Sequence, residues 1–494
     1  MASGLKSLAK DTAIYGLSSI IGRFLNWMLV PMYTRVLAGT GEYGIVTELY
    51  GWVALLLIIL TYGMETGFFR FINKKEETNP LRVYGTILYS LASTSIFFVA
   101  AVWLFLNPVS HSLGYADHPE FIGIMTVTVA IDAFLCLPFA YLRYQGKAYR
   151  FATLKLLTIA LNIFLNIFFL LICPRINVLH PEWIFWFYNA DYGVGYIFVS
   201  NLLSTSFTLF LLLRDMLPGF RANMDLRLLR QILNYSYPVL LLGIAGIFNQ
   251  TADKILFRFL FDDKEYAAEQ LGIYGACFKI AVVMVMFIQA FRYAYEPFVF
   301  AKYKNDENSH HAYVEAMKYF FIFALVILLG VMYYIDVWKY FVGPAYYAGL
   351  IVVPVVMLGE LFYGIYFNLS IWYKLTDRTL WGACFSATGC ITTVAIMIYF
   401  VPRYGFIACA WASFVSNLLM MLLSYLVGQK KYPMAYDLRS ALFYGVLALG
   451  LYVAGMYLTI DSLIIKLVYR SVLLILFLGI ILKKEKMIFK DLRI

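Results

Sequence analysis

The stretch "DTAIYGLSSIIGRFLNWMLVPMYTRVL", residues 11–37, is long enough to cross a membrane, yet it carries an arginine, Arg23, and an amide, Asn26, near its middle. An arginine at the centre of a bilayer costs about 3 kcal/mol on insertion scales, so it is kept there for a partner or a task. Whether this stretch is a span decides the fold, and the rest of the chain answers. Of 494 residues, 62% are hydrophobic and 14% charged, and the mean hydropathy is +0.76. A soluble chain of this length would divide into domains with polar surfaces. Here apolar runs of about twenty residues, the length that crosses ~30 Å of hydrocarbon, recur from end to end. The short alternating segments of a β-barrel are absent. The sequence therefore specifies an all-α integral membrane protein.

Fourteen spans are predicted, near 12–36, 45–70, 83–106, 120–142, 150–173, 191–213, 232–257, 271–298, 312–337, 346–373, 379–400, 404–428, 440–460 and 463–482. The first follows only Lys6 and Lys10 and lacks the short apolar core and small-residue site of a cleaved signal peptide. The net charge of +10 is distributed by topology. Alternate loops are basic: Lys74, Lys75 and Arg82; Arg143, Lys147 and Arg150; Arg214, Arg221, Arg227 and Arg230; Lys302 and Lys304; Lys374 and Arg378; Lys430, Lys431 and Arg439; and the tail "KKEKMIFKDLR". The loop at 107–119 has no Lys or Arg. Under the positive-inside rule both termini are cytoplasmic, which requires an even number of spans. The basic bias thus points to membrane topology and anionic lipid headgroups, with no nucleic acid as partner.

The six cysteines lie in or at the ends of apolar spans, and neither they nor the five histidines have metal-ligand spacing. No Walker-type glycine loop is present, so neither a metal nor a cofactor is expected.

The chain also repeats. "YTRVL" (33–37) matches "LFRFL" (256–260), which sets Asn26 on Asn249, and "GEYGIV" (41–46) opens a long apolar helix as "EQLGIY" (269–274) does. The repeat predicts two pseudo-symmetric six-helix lobes plus two C-terminal helices: residues 1–213, a basic cytoplasmic linker "RDMLPGFRANMDLRLLRQ" at 214–231, residues 232–430, and 431–494 carrying the last two helices and the tail. Internal repeats of this kind place a transporter's binding site at the interface of the halves.

Three segments carry a family resemblance: "IYGLSSIIGRFLNWMLVPMYTRVL", "GEYGIVTELYGWVALLLIILTYGMETGFFRF", and "LGIYGACFKIAVVMVMFIQAFRYAYEPF" in the eighth span. They resemble the polysaccharide-transporter branch of the multidrug/oligosaccharidyl-lipid/polysaccharide exporter superfamily, whose members flip lipid-linked sugars. The resemblance covers nearly the whole chain. It implies two lobes that rock around a hydrophilic cavity, cationic side chains that meet a pyrophosphate, and a lipid tail that stays in the bilayer.

At 100° per residue, Tyr15, Ser19, Arg23, Asn26 and Tyr33 share one side of the first span, a polar and aromatic stripe suited to a cavity wall. Arginine stays protonated and its planar fork can bind two phosphate oxygens. Lys279 is the second deep cation, and Arg292, with Glu296 one turn on, lies nearer the cytoplasmic end of the eighth span. Arg23, Lys279 and Arg292 are therefore the candidate diphosphate ligands, with Asn26, Asn249, Gln250, Gln289 and Tyr293 facing sugar hydroxyls and ring faces. Asp132, in the fourth span, or Glu360, in the tenth, could instead pair with Arg23 or Lys279 and hold helices together. Those two acids are also the candidates for coupling to a proton or Na⁺. Glu48, Glu65, Asp253 and Lys254 read as groups at span ends that meet the interface or solvent. Asn162 and Asn166 read as contacts between helices. The outer loop at 173–195, with Trp183, Phe185, Trp186, Phe187 and Tyr188, reads as an interfacial segment.

The expected activity is that of a flippase in a bacterial inner membrane. It would carry an undecaprenyl-diphosphate-linked oligosaccharide from the cytoplasmic to the periplasmic leaflet for a cell-surface polysaccharide such as O-antigen of lipopolysaccharide. Its partners would be that glycan lipid, membrane lipids and polysaccharide polymerase or assembly proteins. A peptidoglycan-precursor flippase and a multidrug/cation antiporter are the alternatives within the superfamily. Mid-span cations argue against the antiporter, whose site would be dominated by carboxylates. A membrane glycosyltransferase or polymerase would need a large loop with catalytic acids, and the longest outer loop offers only Glu182 and Asp191; the chain is therefore not expected to be an enzyme.

Overall fold

The computed structural model describes residues 2–73, 79–303, 309–376, 378, 380–458 and 460–485. Lys74, Lys75, Lys304 and the tail after Glu485 lie outside the described residues, as do the side chains of Lys6, Lys10, Glu296 and Lys302. The described chain is a succession of helices without strands. They are α1 (Ala2–Trp27), α2 (Val30–Val36), α3 (Thr40–Thr61), α4 (Met64–Ile72), α5 (Pro80–Leu104), α6 (Leu106–Ser112), α7 (Pro119–Tyr144), α8 (Ala148–Ile167), α9 (Cys173–Leu179) and α10 (Gly195–Phe220). They continue with α11 (Leu226–Ile255), α12 (Lys264–Tyr303), α13 (Ser309–Tyr333), α14 (Ile335–Trp338), α15 (Val353–Leu369), α16 (Ile371–Leu375), α17 (Leu380–Tyr404), α18 (Phe406–Lys431), α19 (Leu438–Tyr457) and α20 (Leu463–Lys484).

Among the described residues, 13 helical segments are long and apolar enough to cross a membrane, and they coincide with the second to fourteenth expected spans. The first, α1, falls outside that set. Local chemistry sets the helix ends. Asn79 caps α5 by accepting from the Leu81 N–H, with Pro80 in the first turn. Pro119 starts α7. The second span is broken where Tyr62 (φ 30°) and Gly63 (φ 73°) adopt the left-handed conformation, so α3 and α4 are two rods within one span. Gly63 sits against the Ser236 carbonyl, a close approach that suits a residue without a side chain.

The chain divides into two compact units, Met1–Gly275 and Ala276–Ile494. In the first, α7 packs against α3, α5 and α10, α8 against α1 and α10, and α11 against α3 and α4. Its core is aromatic: Tyr84 and Tyr141 stack at 4.0 Å, with Phe68 edge-on to both. In the second unit α18 lies between α15 and α17, and α13 receives both α19 and α20. Those last two helices are tied to α13 and the segment after it at both ends. Arg470, fully buried, donates to the Tyr333 and Gly455 carbonyls and to Asp336 at 2.7 Å. At the other end Lys318 and Tyr444 share the Glu485 carboxylate at 2.6 and 2.9 Å.

The segment between α10 and α11 is held to the first unit. Arg150 pairs with Asp215 at 2.6 Å, and Arg82 pairs with Asp225. Asp225 also caps α11, accepting from the Arg227 and Leu228 N–H groups at 2.8 and 3.0 Å. The Leu228 N–H and the Arg82 guanidinium hold its carboxyl below the usual carboxylate range. A depressed acid contributes stability that is present above its unfolded value, near 4, and is lost as pH falls through the folded value. Amide exchange in the first turn of α11 should therefore accelerate as pH falls below about 4, beyond the intrinsic pH trend. Asp225→Ala should show that loose turn at neutral pH, and equal protection in variant and wild type would contradict the assignment.

Candidate functional site

The first helix presents three faces. Ser18 and Gly22 are buried. Gly22 lies against Ile159 of α8 so closely that a Cβ would come within 2.4 Å of its side chain. Leu17, Ile21 and Phe24 form an exposed apolar stripe, as lipid requires. Arg23 and Asn26 are exposed as well, but most of half a turn away from that stripe. The polar stripe is shorter than the sequence implies. The helix breaks after Trp27, so Tyr33 falls on α2 and turns inward, donating to Asn166 Oδ1 at 2.9 Å. Tyr15 packs edge-on to Phe151. Wheel geometry holds only within an unbroken helix, and Tyr15 and Tyr33 are internal packing groups. The Tyr33 bond makes Asn166, which also binds Asn162, an interhelical contact.

The candidate residues fall on both units. Arg23, Asn26, Asp132, Asn249 and Gln250 belong to the first, and Lys279, Gln289, Arg292, Tyr293 and Glu360 to the second. Lys279, Gln289, Asn249 and Glu360 are half-buried, while Gln250, Arg292 and Tyr293 are exposed. Arg292 lies 4.6 Å from the centre of the Phe367 ring, and Lys374 lies 4.4 Å from the same ring. Two cations thus gather on one aromatic of α15. Lys374 carried only a topology signal in the sequence, because its neighbour on α12 is remote in the chain.

Asp132 stands on one face of α7 with Cys136, Phe139 and Arg143, spaced by four, three and four residues. Two turns along that face from Asp132, the Lys155 ammonium of α8 lies 4.1 Å from the Phe139 ring centre. Glu65, with its side chain 43% exposed, pairs with Arg143 on the same flank, so this acid near the span end carries an ion-pair partner. Lys155 was missed because a lone lysine near the basic end of a span reads as a snorkelling residue.

At the opposite ends of the spans, α3 crosses the start of α12 with backbone on backbone. A Cβ on Gly44 would lie 1.9 Å from the Ala268 carbonyl, and one on Gly272 would lie 1.8 Å from the Thr40 carbonyl. Farther along α3, Thr47 fills the place beside Gly275, and Gly51 meets Lys254 and Ile255 of α11. Beside this crossing Glu48 is buried, with side-chain exposure of 1%. Its carboxylate accepts from the Tyr115 hydroxyl at 2.8 Å and from Arg258 at 3.4 Å. Arg258 also donates to the Gly114 carbonyl at 2.7 Å and stacks on the Tyr115 ring. Asp253 is buried too, receiving the Tyr274 hydroxyl at 2.6 Å and Lys254 at 2.9 Å. The expectation that Glu48, Asp253 and Lys254 meet interface or solvent is therefore corrected. Hydropathy places a residue by depth along a span, whereas these acids are covered by a neighbour remote in sequence.

Removing Arg258 would leave Glu48 buried without its cation. Arg258→Ala should destabilise the protein by about 3 kcal/mol, and Glu48→Gln combined with Arg258→Met should recover most of that loss. A double-mutant cycle of thermal unfolding in detergent measures the coupling; strictly additive effects would contradict the pair.

The sequence matches the family model described as "polysaccharide biosynthesis protein" over residues 8–300. No curated protein sequence matches it. Among solved structures, it resembles the lipid II flippase MurJ in an inward closed conformation (TM-score 0.71, 14% identity, 95% of this chain and 98% of that one). It also resembles an inward-facing multidrug resistance MATE family transporter of the MOP superfamily (TM-score 0.64, 15% identity, 83% and 94%). A MATE structure in the straight conformation follows (TM-score 0.60, 14% identity, 86% and 95%). The fold is the two-lobed MurJ/MATE type.

Proposed function

Because the chain belongs to the polysaccharide biosynthesis protein family, we propose that it is a flippase for an undecaprenyl-diphosphate-linked oligosaccharide. It moves that lipid from the cytoplasmic to the periplasmic leaflet of a bacterial inner membrane, with both termini cytoplasmic. The observation that carries this reading is the exposed Arg23–Asn26 stripe of α1, set apart from the helix's apolar exposed stripe. A lipid-facing arginine would lie among the apolar groups. One on a separate polar face is placed for an anion in water, and a diphosphate matches its planar fork.

Lys279 supplies a second cation to the diphosphate, while Arg292 with Lys374 forms the basic entrance that collects the headgroup near the cytoplasmic loops. Asn26, Asn249, Gln250, Gln289 and Tyr293 meet the sugars by hydrogen bonds and ring stacking. The two repeats, 1–213 and 232–430, are the moving parts, and transport requires the Gly44–Gly272 crossing to part once per cycle. No bond is made or broken. The product passes to a polymerase or assembly protein for O-antigen or another surface polysaccharide. The two mid-span acids, Asp132 and Glu360, take up a proton or Na⁺ and couple flipping to an ion gradient.

Leaflet-resolved analysis of lipid-linked glycans in a strain lacking this protein tests the reading. One polyprenyl-diphosphate oligosaccharide should accumulate on the cytoplasmic face and be cleared by the wild-type gene. Arg23→Ala should slow clearance roughly 10- to 100-fold, the loss of a charge-assisted bond, and Arg23→Lys should restore part of it. Accumulation of a peptidoglycan precursor would move the assignment to that substrate. Loss of cationic dye efflux with no glycan accumulated would sink it.

A further inference from the structure

We propose that the basic end of α10 is a binding site for an anionic phospholipid. Arg214 and Arg221 take the headgroup phosphate, and the apolar face that precedes them along the helix takes an acyl chain. The inference does not depend on which lipid-linked molecule is carried.

The polar residues of α10 point into the protein and its apolar ones point out. Ser200, Ser204, Thr205 and Thr208 are buried, on a helix that packs against α5, α7 and α8. The exposed residues run Leu203, Phe207, Phe210, Arg214, Leu217 and Arg221. Steps of four and three residues in alternation place all six on one straight stripe of the helix. On a helix of spanning length such an outward apolar stripe faces lipid. The stripe is apolar over its first two turns, and the cations come only towards its end. From Leu203 to Arg214 the rise is about 16 Å, close to the ~15 Å of half a hydrocarbon core. An acyl chain laid along Leu203, Phe207 and Phe210 therefore brings its headgroup to Arg214. Arg221 follows about 10 Å farther along the axis.

No acid of the segment competes for these two arginines. Asp215, next to Arg214 in the chain, is taken by Arg150 at 2.6 Å. Asp225, the other acid between 214 and 231, caps α11 and pairs with Arg82. Among the described residues neither Arg214 nor Arg221 has an ion pair. The backbone that carries them is fixed by hydroxyls of α5: Tyr84 donates to the Asp215 carbonyl at 3.3 Å and Tyr89 to the Phe220 carbonyl at 2.6 Å. A Cβ on Gly85 would lie 2.6 Å from the Gly219 carbonyl, so the two helices meet closely at this end. A site ordered before its ligand arrives binds at lower entropic cost. Topology and the helix dipole also favour cations at a helix C-terminus. Both are indifferent to the side of the helix on which the charge stands. Alignment of the two arginines with the lipid-facing stripe answers to a lipid with an anionic head. A guanidinium fork matches phosphate oxygens, and a zwitterionic head would cancel part of the attraction with its own cation.

The test uses the purified full-length protein in detergent, with added phosphatidylglycerol or phosphatidylcholine of the same acyl chains. Phosphatidylglycerol should raise the wild-type unfolding temperature by about 3 °C more than phosphatidylcholine, because a ligand bound only to the folded state stabilises it. Arg214→Gln combined with Arg221→Gln should lose most of that difference, and Arg214→Lys with Arg221→Lys should keep part of it. Lys431→Gln combined with Arg439→Gln removes the same charge from an exposed basic loop and should leave the difference intact. Equal stabilisation of the wild type by the two lipids would overturn the proposal. So would a loss as large in the loop variant as in the α10 variant, which would make the effect one of overall charge. Amide exchange of the wild type in lipid nanodiscs needs no variant. The last two turns of α10 should exchange more slowly in phosphatidylglycerol than in phosphatidylcholine, and equal rates there would contradict the site. No readout contains a transported glycan lipid, so its failure leaves the flippase assignment standing, and the reverse holds as well.

Discussion

The crossing of α3 over the start of α12 is the contact on which the first unit's far end depends. Two glycines allow it, Gly44 and Gly272, each lying against the other helix's carbonyls with no room for a methyl group. The contact is self-complementary. Gly44 meets Ala268, one turn before Gly272, and Gly272 meets Thr40, one turn before Gly44. The reciprocity is of the kind an isologous contact has, each helix offering the other a glycine beside a carbonyl. Close approach at the glycines brings Glu48 under Arg258 and Tyr115, and Tyr274 onto Asp253. A larger residue at either glycine would open the crossing and strand both carboxylates.

The intramembrane charges divide by surroundings. Glu48, Asp253 and Arg470 are buried with their hydrogen-bond partners supplied by side chains or carbonyls of the same unit. Such groups hold helices in place, and cutting one partner is costlier than replacing both. Arg23 and Arg292 are exposed, Arg23 on a face apart from the apolar stripe of α1 and Arg292 over the Phe367 ring.

Much of the fold was legible in the sequence because its signals are one-dimensional. Apolar length gave thirteen of the spans, and the match of "GEYGIV" with "EQLGIY" aligned Gly44 with Gly272, which meet in the structure. What stayed hidden depends on azimuth and on distant partners. Arg258 read only as the middle of "LFRFL", and its pairing with Glu48 needed the turn after α11 to reach α3. Arg470 read as an arginine inside a span, with nothing in its neighbourhood to identify Asp336 as its partner. The stripe on the first span was over-extended because the break after Trp27 carries no glycine or proline at the break itself; Pro31 follows only inside α2.

The most direct test of the account is a reversible lock on the α3–α12 crossing. A Cβ at Gly41 would lie 3.9 Å from that of Ala268, a separation a disulfide spans without strain. In proteoliposomes, a Gly41→Cys/Ala268→Cys protein should translocate a fluorescent polyprenyl-diphosphate oligosaccharide when reduced. Oxidation should stop it, and a reductant should restore it. Translocation at an unchanged rate by the fully cross-linked protein would contradict the claim that this crossing must part for the lipid-linked glycan to pass.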